Sequence, residues 1–282
     1  MKLKPISEKE ATPEVKQIYG LLKTNLELSS VPLFFQFLGA FPQYLSFINK
    51  AIIDNLKSPE FQKIIEKNAD FVENIFQDSF TKGLLTKDFI KQNQNKPEFY
   101  NLKKELHHIF LTNAKLLFVF LSLREAVKGW AVAAKKLESH FQEQAQTENK
   151  NDFFDPETKS ELIYNTDIIS ANSNLPVIKE TGLSTRPRSG LEIALLPKYL
   201  KLCEAEFDQL IKTEAYLYFR VEVEKICLRS LDQMPYPIFS PVNLVFELAQ
   251  KYPNFSDLLY LLSEHFPTYA VARYLFSGYM LY

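Results

Sequence analysis

One pattern of 21 residues occurs twice in this chain, and it limits the possible folds more than any other feature of the sequence. Residues 41–61 read FPQYLSFINKAIIDNLKSPEF, and residues 196–216 read LPKYLKLCEAEFDQLIKTEAY, at an offset of 155. Identical residues occupy equivalent places in the pairs Pro42 and Pro197, Tyr44 and Tyr199, Leu45 and Leu200, and Lys57 and Lys212. The same offset pairs Pro32 with Pro187. We therefore expect two diverged copies of one unit.

The apolar residues of both copies recur at intervals of three and four, which is the period of an amphipathic helix. The first stripe contains Phe41, Tyr44, Leu45, Ile48, Ile52 and Leu56, and the second contains Leu196, Tyr199, Leu200, Cys203, Phe207 and Ile211. A proline near the start of each stripe suits the first turn of a helix, where no N–H partner is lost. The chain has only 7 glycines in 282 residues and little alternation of strand type. The predicted fold class is all-α.

A second match extends the duplication toward the end of each copy. TNAKLLFVFLSL at 112–123 resembles HFPTYAVARYLF at 265–276, at an offset of 153. Between the copies lies a polar stretch that is poor in aliphatic residues. We predict a first helical repeat over 1–138, a linker over 139–162 and a second repeat over 163–282. Two such halves are expected to pair around a pseudo-two-fold axis as a pseudo-dimer, with a site at their junction.

Composition argues against several classes of function. The formal net charge is −1, with Lys and Arg scattered, so we expect neither a nucleic-acid partner nor binding to an anionic membrane. The longest apolar run, Leu116 to Leu121, is far shorter than a membrane span. Cys203 and Cys227 lie in apolar helical patterns and are predicted to be buried free thiols. With no apolar leader at the N-terminus, the expectation is a cytoplasmic monomer or homodimer.

Standard sequence motifs for nucleotides, metals and nucleophiles are missing. The sequence has no GxGxxG, GxxxxGK[ST], CxxC, HExxH or GxSxG. His107 and His108 are adjacent, which places them about 100° apart on a helix and favours a structural role over metal binding. We predict no metal and no cofactor.

The stretches VPLFFQFLGAFPQYL (31–45), FLTNAKLLFVFLSL (110–123), LPKYLKL (196–202) and KTEAY (212–216) resemble the group I 2-haloacid dehalogenases. The resemblance extends over nearly the whole chain, including the duplication and the place of the linker. It implies an all-helical pseudo-dimer that hydrolyses the carbon–halogen bond of small 2-haloalkanoic acids. In that family an aspartate base activates the attacking water, an asparagine holds it, and no cofactor takes part.

Transferred to this chain, the resemblance places the asparagine at Asn113, which is present. The base falls eight residues before Pro197, on Ser189, so the aspartate is missing. A serine hydroxyl needs another base to activate it, and Glu192 lies one helical turn further along. The position before the base, a serine in the family, is Arg188 here. The position after Val31-Pro32, an aromatic residue in the family, is Leu33. We assign Asn113, Ser189 and Glu192 to catalysis, and Leu33, Gln36 and Arg188 to substrate binding.

Each assignment has a structural alternative. Ser189 and Glu192 also fit a capping box at the start of a helix. Asn113 fits a helix N-cap, since its counterpart region contains Phe266-Pro267. Arg186 and Arg188 fit a solvated loop, and Phe34, Phe35 and Phe37 fit the core. The sequence accordingly supports two functions: a diverged dehalogenase-like hydrolase, or a non-catalytic helical protein that binds a small apolar acid or a partner protein. A peroxidase or decarboxylase of related architecture is a third possibility.

Overall fold

The computed structural model describes residues 3–128 and 195–282 of the chain. Within those ranges all regular structure is helical, which confirms the all-α prediction. The first range contains α1 (Pro13–Leu26), α2 (Leu33–Leu38), α3 (Pro42–Lys57), α4 (Pro59–Ser79), α5 (Leu84–Asn93) and α6 (Pro97–Val127). The second contains α7 (Leu196–Leu210), α8 (Glu214–Ser230), a 3-10 turn (Leu231–Gln233), α9 (Val242–Lys251), α10 (Phe255–Tyr260), a π turn (Leu261–His265) and α11 (Phe266–Leu281).

Both copies of the repeated pattern form a helix followed by a capped helix. Pro42 and Pro197 lie in the first turns of α3 and α7, as predicted. Ser58 caps α4 by accepting a hydrogen bond from the Phe61 N–H at 3.3 Å, and Thr213 caps α8 in the same way through Tyr216 N–H at 3.2 Å. These paired caps agree with a duplication, which itself stays a prediction, and the predicted linker and repeat boundaries lie outside the described residues.

The two predicted stripes are largely buried. Tyr44, Ile48, Ile52, Tyr199, Cys203 and Phe207 are each at most 1% exposed. Cys203 and Cys227 are buried free thiols, as expected. Leu56, Leu200 and Ile211 are half-buried and cover the margin of the core.

The 31-residue helix α6 runs through the centre of the molecule and packs most extensively against α11. From Leu116 to Leu123 every residue of α6 is buried. By length and composition α6 could cross a membrane, but 78% of its most apolar stretch is buried inside the protein, as a core helix would also be.

Polar contacts connect the two described ranges across this core. The Arg124 guanidinium on α6 donates to the Glu224 carboxylate on α8 at 2.6 Å, and both side chains are about one-tenth exposed. Asn55 on α3 donates to the carbonyl oxygen of Tyr236 and accepts from the N–H of the same residue. Since removing one member of a buried pair leaves the other unsatisfied, these contacts fix how the helices meet.

A buried lysine binds the last turn of α11. Lys82, in the loop between α4 and α5, is 6% exposed and donates to the Tyr279 carbonyl at 2.6 Å and to the Tyr199 hydroxyl at 3.1 Å. Tyr199 in turn donates to the Met280 carbonyl at 2.7 Å, and Lys103 donates to the Leu281 carbonyl. The last carbonyls of a helix have no partner within the helix, so these side chains satisfy them and place positive charge at the negative end of the helix dipole.

Titration of Lys82 should be visible in the stability of the protein. Burial lowers the pKa of Lys82 to about 8, despite the nearby Glu206 carboxylate, whereas an unfolded lysine titrates near pH ~10.4. Between these values the unfolded chain binds more protons, so stability rises with pH. We expect wild type to gain about 2 kcal/mol in unfolding free energy relative to Lys82→Met between pH ~7 and ~9.5. Urea denaturation measures this difference.

The exposed Lys87 on α5 offers a matched control for that measurement. Lys87→Met should show the same pH dependence as wild type, because this variant leaves the buried Lys82 in place. If Lys82→Met also follows wild type over the whole range, Lys82 does not titrate differently in the folded state.

Gly278 allows α11 to approach α4 and α6 closely. A Cβ atom at this position would lie 2.9 Å from the Phe76 ring and 3.1 Å from the Phe110 ring, and both rings are fully buried. We expect Gly278→Ala to lower the unfolding free energy by about 1–3 kcal/mol, because overpacking outweighs the better helix propensity of alanine. In α1, Gly20→Ala meets no atom within 4 Å and should raise stability instead. Thermal or urea unfolding of both variants tests this; equal effects would contradict close packing at Gly278.

Candidate functional site

Two ring pairs define how α6 and α11 face each other. Phe110 stacks on Tyr274 with centroids 4.9 Å apart, and Phe120 contacts Phe266 at 5.6 Å. From the first pair to the second, the residue number rises in α6 and falls in α11, so the two helices are antiparallel. We call the interface between these two ring pairs, formed by the side chains that point toward the partner helix, the seam.

Asn113 lies on the seam side of α6. It is three residues after Phe110 and seven before Phe120, and these spacings place all three side chains on one face of a helix. Asn113 is 5% exposed and lies in the interior of α6, sixteen residues after its first residue. The N-cap interpretation of Asn113 is therefore wrong, because the chain is already helical long before this position.

The hydrogen bonding of Asn113 differs from that of the other buried asparagines. Asn55, Asn68 and Asn93 each donate from Nδ2 to the carbonyl four residues earlier, at 2.7–2.8 Å. Among the described residues, the Asn113 carboxamide makes no such bond and has no other hydrogen-bond partner. Its donors and acceptor are therefore available to a water or ligand.

Arg273 is the charged side chain on the opposite wall of the seam. It lies seven residues after Phe266 and four after Tyr269, on the same face of α11, and is 7% exposed. Its guanidinium carbon lies 5.7 Å from the centre of the Phe34 ring. Counted from the two ring pairs, the Cα atoms of Asn113 and Arg273 differ by about 0–3 Å in height along the helices. The Arg273 side chain extends from there toward the Phe34 ring.

Helix α2 closes the seam at its Phe120 end. The Phe34 ring contacts the rings of Phe120 at 4.6 Å, Phe266 at 5.2 Å and Tyr269 at 6.2 Å. Phe34 and Phe35 are buried in the core, as the structural alternative predicts, whereas Phe37 is half-buried.

The two predicted binding residues on α2 are half-buried. Leu33 is the first residue of the helix. The Gln36 amide donates to the Val31 carbonyl at 3.0 Å, so part of its hydrogen-bonding capacity stabilises the start of α2. The Tyr19 hydroxyl on α1 also binds this helix, by donating to the Phe35 carbonyl at 3.2 Å. A substrate role for Leu33 and Gln36 stays a prediction.

The π turn at Leu261–His265 leads directly into the seam. Phe266 N–H bonds to the Leu261 carbonyl, five residues back, and the next residue, Pro267, has no N–H to continue the usual pattern. His265 lies against the Tyr260 ring with centroids 5.0 Å apart. Wide turns of this type recur at functional sites in helices.

The seam supplies binding groups but no base from α2 or α11. Neither helix contains a carboxylate or a histidine in its sequence, LFFQFL and FPTYAVARYLFSGYML. Burial keeps Tyr274, at the Phe110 end, protonated by raising its pKa well above the ordinary value. A proton acceptor for water would have to come from elsewhere in the chain. The predicted residues Arg188, Ser189 and Glu192 lie outside the described residues.

Sequence reasoning missed Arg273, although a signal was present. It is the one charged residue in the otherwise apolar stretch of α11. A charge within such a stretch is costly to bury, so it is retained only where contacts compensate for it. The amphipathic pattern drew attention to the aromatic residues around it instead.

Replacing Asn113 by leucine separates a functional from a structural asparagine. We expect Asn113→Leu to leave the unfolding free energy unchanged or raise it, because a buried amide without a partner in the described residues becomes apolar. Asn55→Leu is the matched control and should lower it by about 2–3 kcal/mol, since it leaves the Tyr236 backbone unsatisfied. Urea unfolding measures both. Equal losses for the two variants would show that Asn113 is a structural residue.

Comparison with known proteins identifies the fold. No protein-family model matches the sequence, and no curated protein matches it. Among solved structures, a complex of D-2-haloacid dehalogenase with L-LA is similar at a TM-score of 0.66 and 15% identity, over 99% of this chain and 95% of the other. A complex of a D-2-haloacid dehalogenase mutant with D-2-CPA has a TM-score of 0.69, also at 15% identity, over 99% and 94%. The chain thus has the all-helical fold of the D-2-haloacid dehalogenases.

Proposed function

We propose that the seam binds a small 2-substituted carboxylic acid and that the chain is a diverged hydrolase of the haloacid dehalogenase type. The observation that carries this proposal is the buried Asn113 amide, which faces α11 without the local hydrogen bond that the other buried asparagines make. The full-length similarity in fold to D-2-haloacid dehalogenase also supports it.

The reaction would replace the halogen at carbon 2 with hydroxyl. A water oxygen forms the new bond to carbon as the halide leaves with the electron pair of the carbon–halogen bond, and the water loses a proton. Asn113 suits the task of holding this water, because a carboxamide offers both a donor and an acceptor. The apolar walls of the seam, formed by Phe34, Phe120 and Phe266, exclude other water and strengthen polar interactions with the reacting atoms.

Ser189 determines how active such an enzyme would be. Water must give up its proton to a group that accepts one near neutral pH, and a serine hydroxyl does not. Glu192 is the replacement base that the sequence offers. If Glu192 does not act as the base, the seam would bind the acid and turn it over slowly or not at all. The serine at position 189 is thus the observation that favours the alternative function, a non-catalytic acid-binding protein.

Restoring the missing carboxylate gives a direct test. We expect Ser189→Asp to release chloride from 2-chloropropionate at least about 100-fold faster than wild type, because a positioned general base contributes roughly that factor. Each enantiomer is assayed separately by chloride release. Ser189→Asn is the matched control: it has nearly the same shape but cannot accept the proton, so it should show no gain.

A second substitution checks that the reaction takes place in the seam. Combining Ser189→Asp with Asn113→Leu should abolish the gain, since the water then loses the group that holds it. If neither enantiomer is bound or hydrolysed by wild type or by Ser189→Asp, the proposed function is wrong.

A further inference from the structure

A cleft of about 370 Å³ lies between α3 and the segment that leads into α9. One wall is formed by α3, from Phe47 to Asp54, and the other by residues 235–239. No residue of α2, α6 or α11 lines it, so the cleft is separate from the seam. Its volume falls within the range of sites that hold small organic molecules. The cleft is therefore a second candidate binding site in this chain.

Hydrogen bonds fix the second wall against α3 at both ends of the cleft. The Asn55 side chain binds both the N–H and the carbonyl of Tyr236, and the Tyr44 and Ser240 hydroxyls lie 2.9 Å apart. Tyr44 and Asn55 are separated by about 16 Å along the helix, and four extended residues span about 13 Å. The segment thus runs extended along α3 in the opposite direction. Because both walls are held in place, the cleft is preformed, which lowers the entropic cost of binding.

Exposed aromatic rings surround the cleft. Phe47, Tyr236 and Phe239 are 41%, 46% and 45% exposed, although the core buries most rings of this chain. Phe47 and Phe239 meet edge to face with centroids 5.5 Å apart. Ala51 follows Phe47 by one helical turn, and its small side chain leaves room beside the rings. Apolar groups exposed around a concave surface are typical of a binding site, so this cleft suits an apolar or aromatic group.

Two charges of opposite sign complete the lining. Lys50 and Asp54 are its only charged residues, and they lie one helical turn apart on α3. This spacing permits an ion pair, yet the two side chains do not form one, and neither has a polar partner among residues 3–128 and 195–282. Lys50 is exposed and Asp54 is half-buried. Both charges are therefore available to a ligand that carries a cation and an anion close together.

We propose that this cleft binds an α-amino acid with an apolar side chain. Its ammonium group would donate to Asp54, its carboxylate would accept from Lys50, and its side chain would lie against the rings of Phe47 and Phe239. Charge-assisted hydrogen bonds are the stronger ones in proteins, and aromatic rings bury a large apolar area. This site goes beyond the proposed function, since it binds a different class of molecule at a different place.

Three ligands of nearly the same shape test the proposal. L-Phenylalanine carries both charges, phenethylamine only the cation and 3-phenylpropanoate only the anion. Titrations of the wild-type protein at pH ~7, where both kinds of group are charged, are followed through the NMR signals of the Ala51 and Phe239 amides. We expect L-phenylalanine to bind at least about tenfold more tightly than either analogue, because each analogue lacks one charge-assisted contact.

Two variants assign the charges. Asp54→Asn should weaken binding of L-phenylalanine by about tenfold or more without weakening binding of 3-phenylpropanoate. Lys50→Gln should weaken binding of L-phenylalanine without weakening binding of phenethylamine, a crossed pattern that a merely structural role would not produce. Asp88→Asn, at an exposed position on α5, is the matched control and should bind as wild type does.

Several results would overturn the proposal. These are unchanged Ala51 and Phe239 signals with all three ligands, binding of L-phenylalanine no tighter than that of both analogues, and tight binding of L-phenylalanine by Asp54→Asn. If Asp54→Asn does not fold, the preference of wild type and the Lys50→Gln variant still decide the matter. None of these results bears on the proposed function, which is tested by chloride release from 2-chloropropionate.

Discussion

The antiparallel contact between α6 and α11 is the constraint on which the rest of the structure depends. It brings the longest helix of the described residues against the most apolar one, and the ring pairs at its two ends set their register. The surrounding elements hold this contact in place. Gly278 permits the close approach, Lys82 and Tyr199 bind the last turn of α11, and α2 covers the other end through Phe34.

Within that contact lies one polar side chain, Asn113, that makes no hydrogen bond among the described residues. An apolar side chain could replace it at little cost to folding. This is why Asn113 carries the proposed function. Elsewhere in the core, Arg124 with Glu224 and Asn55 with Tyr236 show what structural polar contacts look like in this molecule.

The helical class and the buried faces of α3 and α7 were predictable, because amphipathic spacing depends on local sequence. The caps at Ser58 and Thr213 follow from equally local chemistry. The resemblance places Asn113 in the candidate site, but local sequence does not show that it lies deep inside α6, since asparagine favours helix ends as well. Lys82 and Arg273 are unpredictable for another reason. Their contacts involve residues more than a hundred positions away in the chain, which periodicity does not reveal.

The π turn before α11 has a consequence for how such a site can change. An α-helix rotates by about 100° per residue, so two segments of one continuous helix have their faces locked in a fixed angular relation. Here α10 directs Phe255 at Phe41 and Tyr44, while α11 directs Phe266 at Phe34. The wider turn at Leu261–His265 sets the rotation between these two segments. Altering that one turn would rotate α11 against α6 and exchange the residues lining the seam, while α10 kept its place on α3.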